Sequence, residues 1–143
     1  MEQLIIYTDG AARGNPGPSA SGYMIVRGGK VVHKGLEYNG VKTNNYAEYH
    51  AIEMALGWCL DNISDPVLFR VSVFSDSELV VRQLNGQYKT KVAKLRDLKR
   101  RVSDLVSKFG FVKFENLPRE DKRIASVDRE LNIMLDEMTQ KDL

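Results

Sequence analysis

The chain has 143 residues, of which 43% are hydrophobic and 28% charged, with a formal net charge of +2. That size and balance fit one globular domain, 1–143, which needs no disulfide or structural metal to fold, and no apolar run approaches the ~20 residues of a membrane span. A single cysteine, Cys59, excludes an internal disulfide, and Met1-Glu2-Gln3 lacks the basic start and apolar core of a secretory leader, so a reducing, cytoplasmic setting is expected.

Residues 4–8 are apolar and β-prone and predict a strand ending at Asp9-Gly10. Residues 11–19, rich in Gly, Pro, Asn and Ser, predict a loop. Residues 21–27 and 30–38 predict two strands joined at Gly28-Gly29, a hairpin signal. Residues 45–60 place Ala47, Ala51, Ala55, Leu56 and Cys59 at helical spacing, so Cys59 and its neighbour Trp58 are expected to pack rather than to bind. After the break at 62–66 come a strand (68–74), a short helix (77–84) closed by Asn85-Gly86, a longer helix (92–108), a fifth strand (109–117) and a last helix (126–138). The order β-β-β-α-β-α-α-β-α implies an α/β fold, a mixed sheet covered by helices.

Charge is unevenly spread. Between Arg82 and Arg101 lie eight basic residues and one acid, Asp97. Such a stripe can hold phosphates, although a solvated helix face has the same composition.

The acids carry more information. Ligands of such sheets gather beyond the carboxyl ends of parallel strands. Asp9 ends the first strand and Asp76 follows the fourth, while Glu48 opens the first long helix. Each has an ordinary explanation: Asp9-Gly10 as a turn pair, Glu48 three residues after Asn45 as part of a capping box, Asp76 as a helix cap, Ser75 with Glu78 as a second box, Asp128 as an exposed helix acid. Together the ordinary explanations weaken, because none of the three lies mid-strand, where an unpaired charge is costly. Carboxylates brought close repel one another and need a cation. Two hard divalent ions held by carboxylates can activate water and stabilise the leaving oxygen of a phosphodiester.

The motifs then resemble those of the type 1 ribonuclease H family. The run Tyr7-Thr8-Asp9-Gly10-Ala11-Ala12-Arg13-Gly14-Asn15-Pro16-Gly17-Pro18 is similar to that family's first-strand signature. Thr43-Asn44-Asn45-Tyr46-Ala47-Glu48-Tyr49 resembles its first-helix signature, Ser75-Asp76-Ser77-Glu78 to Gly86 its third, and Pro118-Arg119-Glu120 with Asp128-Arg129-Glu130-Leu131-Asn132 its C-terminal block. The resemblance implies a ribonuclease H-like five-stranded mixed sheet of order 3-2-1-4-5. It also implies hydrolysis of the RNA strand of RNA–DNA hybrids with two Mg²⁺ ions, replaceable by Mn²⁺, leaving 5′-phosphate and 3′-hydroxyl ends. Asp9 would bridge both metals, Glu48 and Asp76 would be the second and third acids, and Asp128 the fourth. Asn15, Asn44 and Asn45 would read 2′-hydroxyls as short amides that both donate and accept. Ser77 and Gln83 would lie near the groove, and Thr43 would meet a DNA-strand phosphate. The hybrid duplex is the implied partner, and a monomer the expected state.

The sequence departs from that pattern near its end. Many members place Ala-Asp soon after Arg-Glu, but here Ser126 follows Ala125 and Asp128 comes two residues later, with Asp121 as the alternative. Many carry a histidine in the loop before the fourth acid; His33 and His50 are the only histidines here, which leaves Arg119 or Arg123 for that place. Val92 stands where relatives often have asparagine near a phosphate pocket, with Lys91 or Lys42 to compensate. Residues 87–91 run straight into one long helix, so the extra basic helix of many members is expected to be absent, leaving Lys94, Lys99, Arg100 and Arg101 for electrostatic grip.

Overall fold

The structure, a computed structural model, describes residues 2–140. Its elements run β1 (Glu2–Ala12), β2 (Gly17–Arg27), β3 (Lys30–Lys42), α1 (Asn44–Asn62), β4 (Phe69–Ser75), α2 (Glu78–Leu84), α3 (Ala93–Val106), β5 (Phe111–Asn116) and α4 (Lys122–Gln140), with a 3₁₀ turn at Pro66–Leu68. The sheet order is β3-β2-β1-β4-β5. β1–β2 and β2–β3 pair antiparallel, β1–β4 and β4–β5 parallel. This is the α/β ribonuclease H-like architecture and strand order that the resemblance implies.

Period-2 alternation in β1 builds two cores. Leu4 and Ile6 are fully buried under α1, in a cluster with Tyr49, Ile52 and Leu56 of α1 and Leu98 and Val102 of α3. Ile5 and Tyr7 face the other way, onto Val127, Leu131 and Leu135 of α4, which recur every fourth residue. Each fully buried leucine contributes roughly 2 kcal/mol by removing apolar surface from water. In α1, Ala47, Ala51 and Ala55 are fully buried; their small side chains let the helix lie close to the sheet. The Ser21 hydroxyl donates to the Ala47 carbonyl across that interface at 2.7 Å. Gly28 and Gly29, with φ of +58° and +77°, make the two-residue turn between β2 and β3, a conformation that favours glycine.

Three boundaries differ from expectation. β1 continues past Asp9 to Ala12 and β2 starts at Gly17, so most of the expected loop at 11–19 is strand and the turn is confined to 13–16. The reason is pairing: Gly10, Ala11 and Ala12 oppose Ser21, Ala20 and Ser19, and Arg13 N–H donates to the Pro18 carbonyl at 2.8 Å to close the turn. β3 extends to Lys42 for the same reason, opposite the lengthened β2. α4 starts at Lys122 rather than 126, because the Asp121 carboxylate accepts from the backbone N–H of Arg123 (2.9 Å) and Ile124 (3.1 Å) and caps the helix there. Among the described residues no helix lies between α2 and α3, as expected for the short form.

Candidate active site

The parallel pairing of β1 with β4 stops at Thr8 opposite Ser75. The next residue along each chain segment therefore lies just beyond the last pair of the parallel ladder: Asp9 within β1, whose pairing with β2 runs on to Ala12, and Asp76 directly after β4. Glu48 reaches the same place from α1, and Gly10 makes this possible. A Cβ at Gly10 would collide with the backbone of Ala47 and Glu48, so only glycine lets the helix come this close to β1. One carboxylate oxygen from each of Asp9, Glu48 and Asp76 lies within 4.8 Å of the others.

The electrostatics of this cluster are unfavourable as they stand. Asp9 is 3% exposed and Glu48 7%. Burial, then the charges of Glu48, Asp76 and Asp128, push the Asp9 carboxyl up to about 10. Burial and Asp76 hold Glu48 well above the usual carboxylate range, opposed by the Gly10 backbone N–H and by the Ser75 hydroxyl, which donates to Glu48 Oε2 at 3.3 Å. Asp76 is raised by burial, against which Asp9 and the Arg119 charge act. Asp9 Oδ2 is buried without a hydrogen-bond partner. Buried oxygens of this kind are costly unless a cation or donor meets them. Three crowded carboxylates and an orphaned oxygen are the donor set that hard divalent ions take.

The capping explanations fail for these acids. Thr43 caps α1, its hydroxyl accepting from Tyr46 N–H at 3.1 Å, so Glu48 is too far into the helix for a capping box. Ser77 caps α2, accepting from Val80 N–H at 3.3 Å, and Ser75 accepts from Ser77 N–H at 3.1 Å. Asp76 caps nothing. Asp9, in contrast to the expectation, does lie within a strand, because the β1–β2 ladder runs on past it. Its unpaired charge is thus the costly case that sequence reasoning had set aside.

Asp128, on α4, is close enough for its charge to add to those that raise Asp9. Its carboxylate accepts from Asn132 Nδ2 at 3.1 Å. Asp121 is occupied as the α4 cap, and Ser126, half-buried, lies two residues before Asp128 and so on a different side of the helix. Arg119 acts electrostatically on Asp76, whereas the Arg123 guanidinium lies on the Met24 thioether at 3.6 Å.

The amides divide by how much they leave free. Asn15 Oδ1 accepts from Asn44 N–H at 3.0 Å, and Asn44 Oδ1 accepts from Ala12 N–H at 2.7 Å. Both are exposed, and this exchange fastens the β1–β2 turn to the start of α1 while their NH₂ groups stay available. Asn45 is half-buried in the first turn of α1. Ser77 is half-buried beside Asp76. Gln83 is different: it is 5% exposed, accepts from the Tyr49 hydroxyl at 2.7 Å and donates to the Lys89 carbonyl at 3.5 Å. Its polar ends are engaged inside the protein, so it offers little surface to a duplex. Val92 precedes α3, caps nothing and is 57% exposed, while Lys42 lies over the Tyr46 ring at 4.9 Å. Cys59 is buried, its thiol pushed up to about 12, and Trp58 stacks on His33 at 4.3 Å, both packing residues as expected.

Arg13 and Asn132 support this region without having been singled out in the sequence, and Ser75, expected only as a helix-capping residue, donates to Glu48. All three sit inside quoted motifs, but only the fold shows that Arg13 and Asn132, 119 residues apart, touch.

Comparison with known proteins agrees with the geometry. The ribonuclease H family model matches residues 1–125. Ribonuclease HI of Halobacterium salinarum is 40% identical over 114 residues, covering 79% of this chain and 55% of that protein. The bifunctional protein Rv2228c of Mycobacterium tuberculosis is 31% identical over 140 residues, covering 96% of this chain and 37% of that protein. The chain thus spans just over half of the first and little more than a third of the second. The N-terminal ribonuclease H domain of Rv2228c, solved as a fusion with maltose binding protein, superposes with a TM-score of 0.89 at 30% identity over 100% of both chains. LC11-RNase H1 in complex with an RNA/DNA hybrid superposes at 0.87 with 37% identity, covering 95% of this chain and 99% of that one. Fold, converging acids and matches together establish that this chain belongs to the type 1 ribonuclease H family, in the short form without the extra basic helix.

Proposed function

We propose that this chain hydrolyses the RNA strand of RNA–DNA hybrids endonucleolytically, using two divalent cations and leaving 5′-phosphate and 3′-hydroxyl ends. The observation that carries the reading is the convergence of Asp9, Glu48 and Asp76 within 4.8 Å, in which Asp9 keeps a buried oxygen without a partner. Mg²⁺, or Mn²⁺ in its place, would be held by Asp9, Glu48, Asp76 and Asp128, supplying charge neutralisation and an activated water. The neighbouring complex with an RNA/DNA hybrid supports the choice of duplex. On this reading the exposed NH₂ groups of Asn15 and Asn44, with Asn45 and Ser77, meet the hybrid's minor groove. Thr43, which caps α1, would meet a DNA-strand phosphate. Gln83, expected near the groove, takes instead the role of a positioning residue, bracing Tyr49 and the Lys89 segment. Arg119 takes the place of the loop histidine in helping product leave. Kinetics of Arg119→Ala test that last assignment: turnover should fall while hybrid affinity holds, and unchanged turnover would end it. A cytoplasmic monomer, 1–143 acting as one domain, belongs to the same reading. Among the described residues no helix is long and apolar enough to cross a membrane.

A substrate series tests the specificity. RNA–DNA hybrid, double-stranded RNA, double-stranded DNA and a hybrid with 2′-deoxy substitutions around one cut site are incubated with Mg²⁺. Cleavage confined to unsubstituted RNA of the hybrid, with a 5′-phosphate on the downstream product, is expected. Tight hybrid binding with no cleavage in either metal would replace the enzyme by a binding module, and cleavage of DNA would replace it by another nuclease.

A further inference from the structure

We propose that Arg13 and Asn132 form a positioning relay that sets the carboxylate of Asp128 and ties it to the β1–β2 turn. The proposal rests on the reading of Asp128 as the fourth acid.

The relay is a chain of directed hydrogen bonds. Arg13 Nη1 pairs with Asp136 Oδ1 at 2.6 Å. Arg13 Nη2 donates to the Asn132 carbonyl at 3.1 Å and to Asn132 Oδ1 at 3.3 Å. Asn132 Nδ2 in turn donates to the Asp128 carbonyl at 2.9 Å and to Asp128 Oδ1 at 3.1 Å. A guanidinium can only donate, so it turns the amide oxygen of Asn132 toward itself and leaves the NH₂ facing Asp128. The opposite amide orientation would set oxygen against carboxylate. Arg13 thereby fixes which end of Asn132 the acid meets.

The geometry explains why such a device is useful. Glu48 is held by burial and by Ser75, but Asp128 sits half-buried on α4, where a short carboxylate turns freely unless something holds it. The turn that carries Arg13 is itself fastened to the start of α1 by Asn15 and Asn44. It therefore bridges the two helices that bring Glu48 and Asp128 to the sheet end. Donors that orient an acidic ligand typically matter by tenfold or more in affinity or rate when removed.

The test compares wild type with Asn132→Ala, Asn132→Asp, Arg13→Ala, the Asn132→Ala/Arg13→Ala double variant and Asp128→Asn. It measures kcat and KM on a hybrid, Mn²⁺ binding to the free protein by calorimetry, and the melting temperature. Asn132→Ala and Arg13→Ala should each lower kcat roughly tenfold and weaken Mn²⁺ binding. Asn132→Ala should leave KM little changed, and the double variant should be no worse than the Asn132→Ala single, because Arg13 acts through Asn132. Asn132→Asp is the discriminating case. It keeps and strengthens the contact with Arg13 but sets a carboxylate against Asp128. The relay predicts a loss at least as large as with alanine, at an unchanged or higher melting temperature. A simple staple between turn and helix predicts full activity. Wild-type kcat and Mn²⁺ affinity in both Asn132 variants, with Asp128→Asn inactive, would overturn the relay and leave the fourth acid standing. An active Asp128→Asn would remove both.

Discussion

At the scale of single residues, Asp9 concentrates the conflict between folding and the proposed function. Its carboxyl is displaced from the ordinary 3.8 to about 10 by burial and by the neighbouring acids. A carboxyl raised on folding binds its proton more tightly in the folded state, so it costs nothing below about pH 4 and destabilises the metal-free fold increasingly as pH rises from there toward 10. Asp9→Asn removes that cost. At pH 7 in EDTA the variant should melt higher than wild type, by about 3–6 °C, and should lose the further rise that Mg²⁺ gives wild type by mass action. Differential scanning calorimetry with and without Mg²⁺ checks both; a variant that melts lower in EDTA would mean the carboxylate is satisfied by the protein alone. The identity of Asp9, Glu48 and Asp76 could be read from motif and spacing. That Asp9 sits mid-strand with an orphaned oxygen could not, because the Gly-Pro-Asn composition of residues 11–19 reads as loop and hides a continuing ladder.

At the scale of elements, α1 is held from both sides by ionisable groups. His50 meets Glu37 of β3 at 2.5 Å and Glu53 at 3.0 Å, and Arg101 of α3 meets Glu53 at 2.5 Å. The His50 hydrogen bond first, then Arg101, lowers Glu53 to about 2 against the opposing effect of burial. His50 is raised, chiefly by Glu53. The signs differ. The Glu53 contribution is present above its ordinary 4.5 and lost as pH falls through about 2. The His50 contribution is complete below its ordinary 6.5 and lost as pH rises through its higher folded value. Glu53→Gln should therefore cost most between those two ordinary values, on the order of 1 kcal/mol for partly exposed pairs, and little near pH 2. Urea midpoints of wild type and variant across pH report this, and a difference independent of pH would contradict it. None of this network was legible from the sequence, since its members come from three elements whose packing only the fold supplies. Element order, by contrast, was legible because turn residues such as Gly28-Gly29 and Asn85-Gly86 separate β-prone apolar runs from stretches with apolar residues at helical spacing. The ends of elements were less so. The start of α4 depended on Asp121 acting as a cap, which competes with Ser126 on equal chemical terms.

At the scale of the whole molecule, the basic stripe is weaker than its composition suggests. Arg82, Arg100 and Arg101 pair with Glu78, Asp97 and Glu53, and Arg96 donates to the Lys91 carbonyl. The cations without such partners among the described residues are lysines, with Lys91 and Lys94 exposed at the start of α3. Hybrid affinity should fall linearly in log-log with salt, and Lys91→Ala or Lys94→Ala should each reduce the slope by about 1 where the lysine meets a phosphate. Slopes unchanged in both variants would make the stripe a solvated helix face. With no helix between α2 and α3 to add grip, the proposed chemistry rests on Asp9, Glu48 and Asp76 at the sheet end, and the proposed discrimination on the amides beside them. The most direct test of that claim is cleavage of an RNA–DNA hybrid with end-labelled RNA, in Mg²⁺, by wild type and Asp76→Asn at equal concentration. The account predicts RNA cleavage by wild type, none in EDTA, and a loss of at least about a thousandfold in the variant, whose melting temperature is not lowered. Cleavage by Asp76→Asn near the wild-type rate, or by wild type in EDTA, would contradict it.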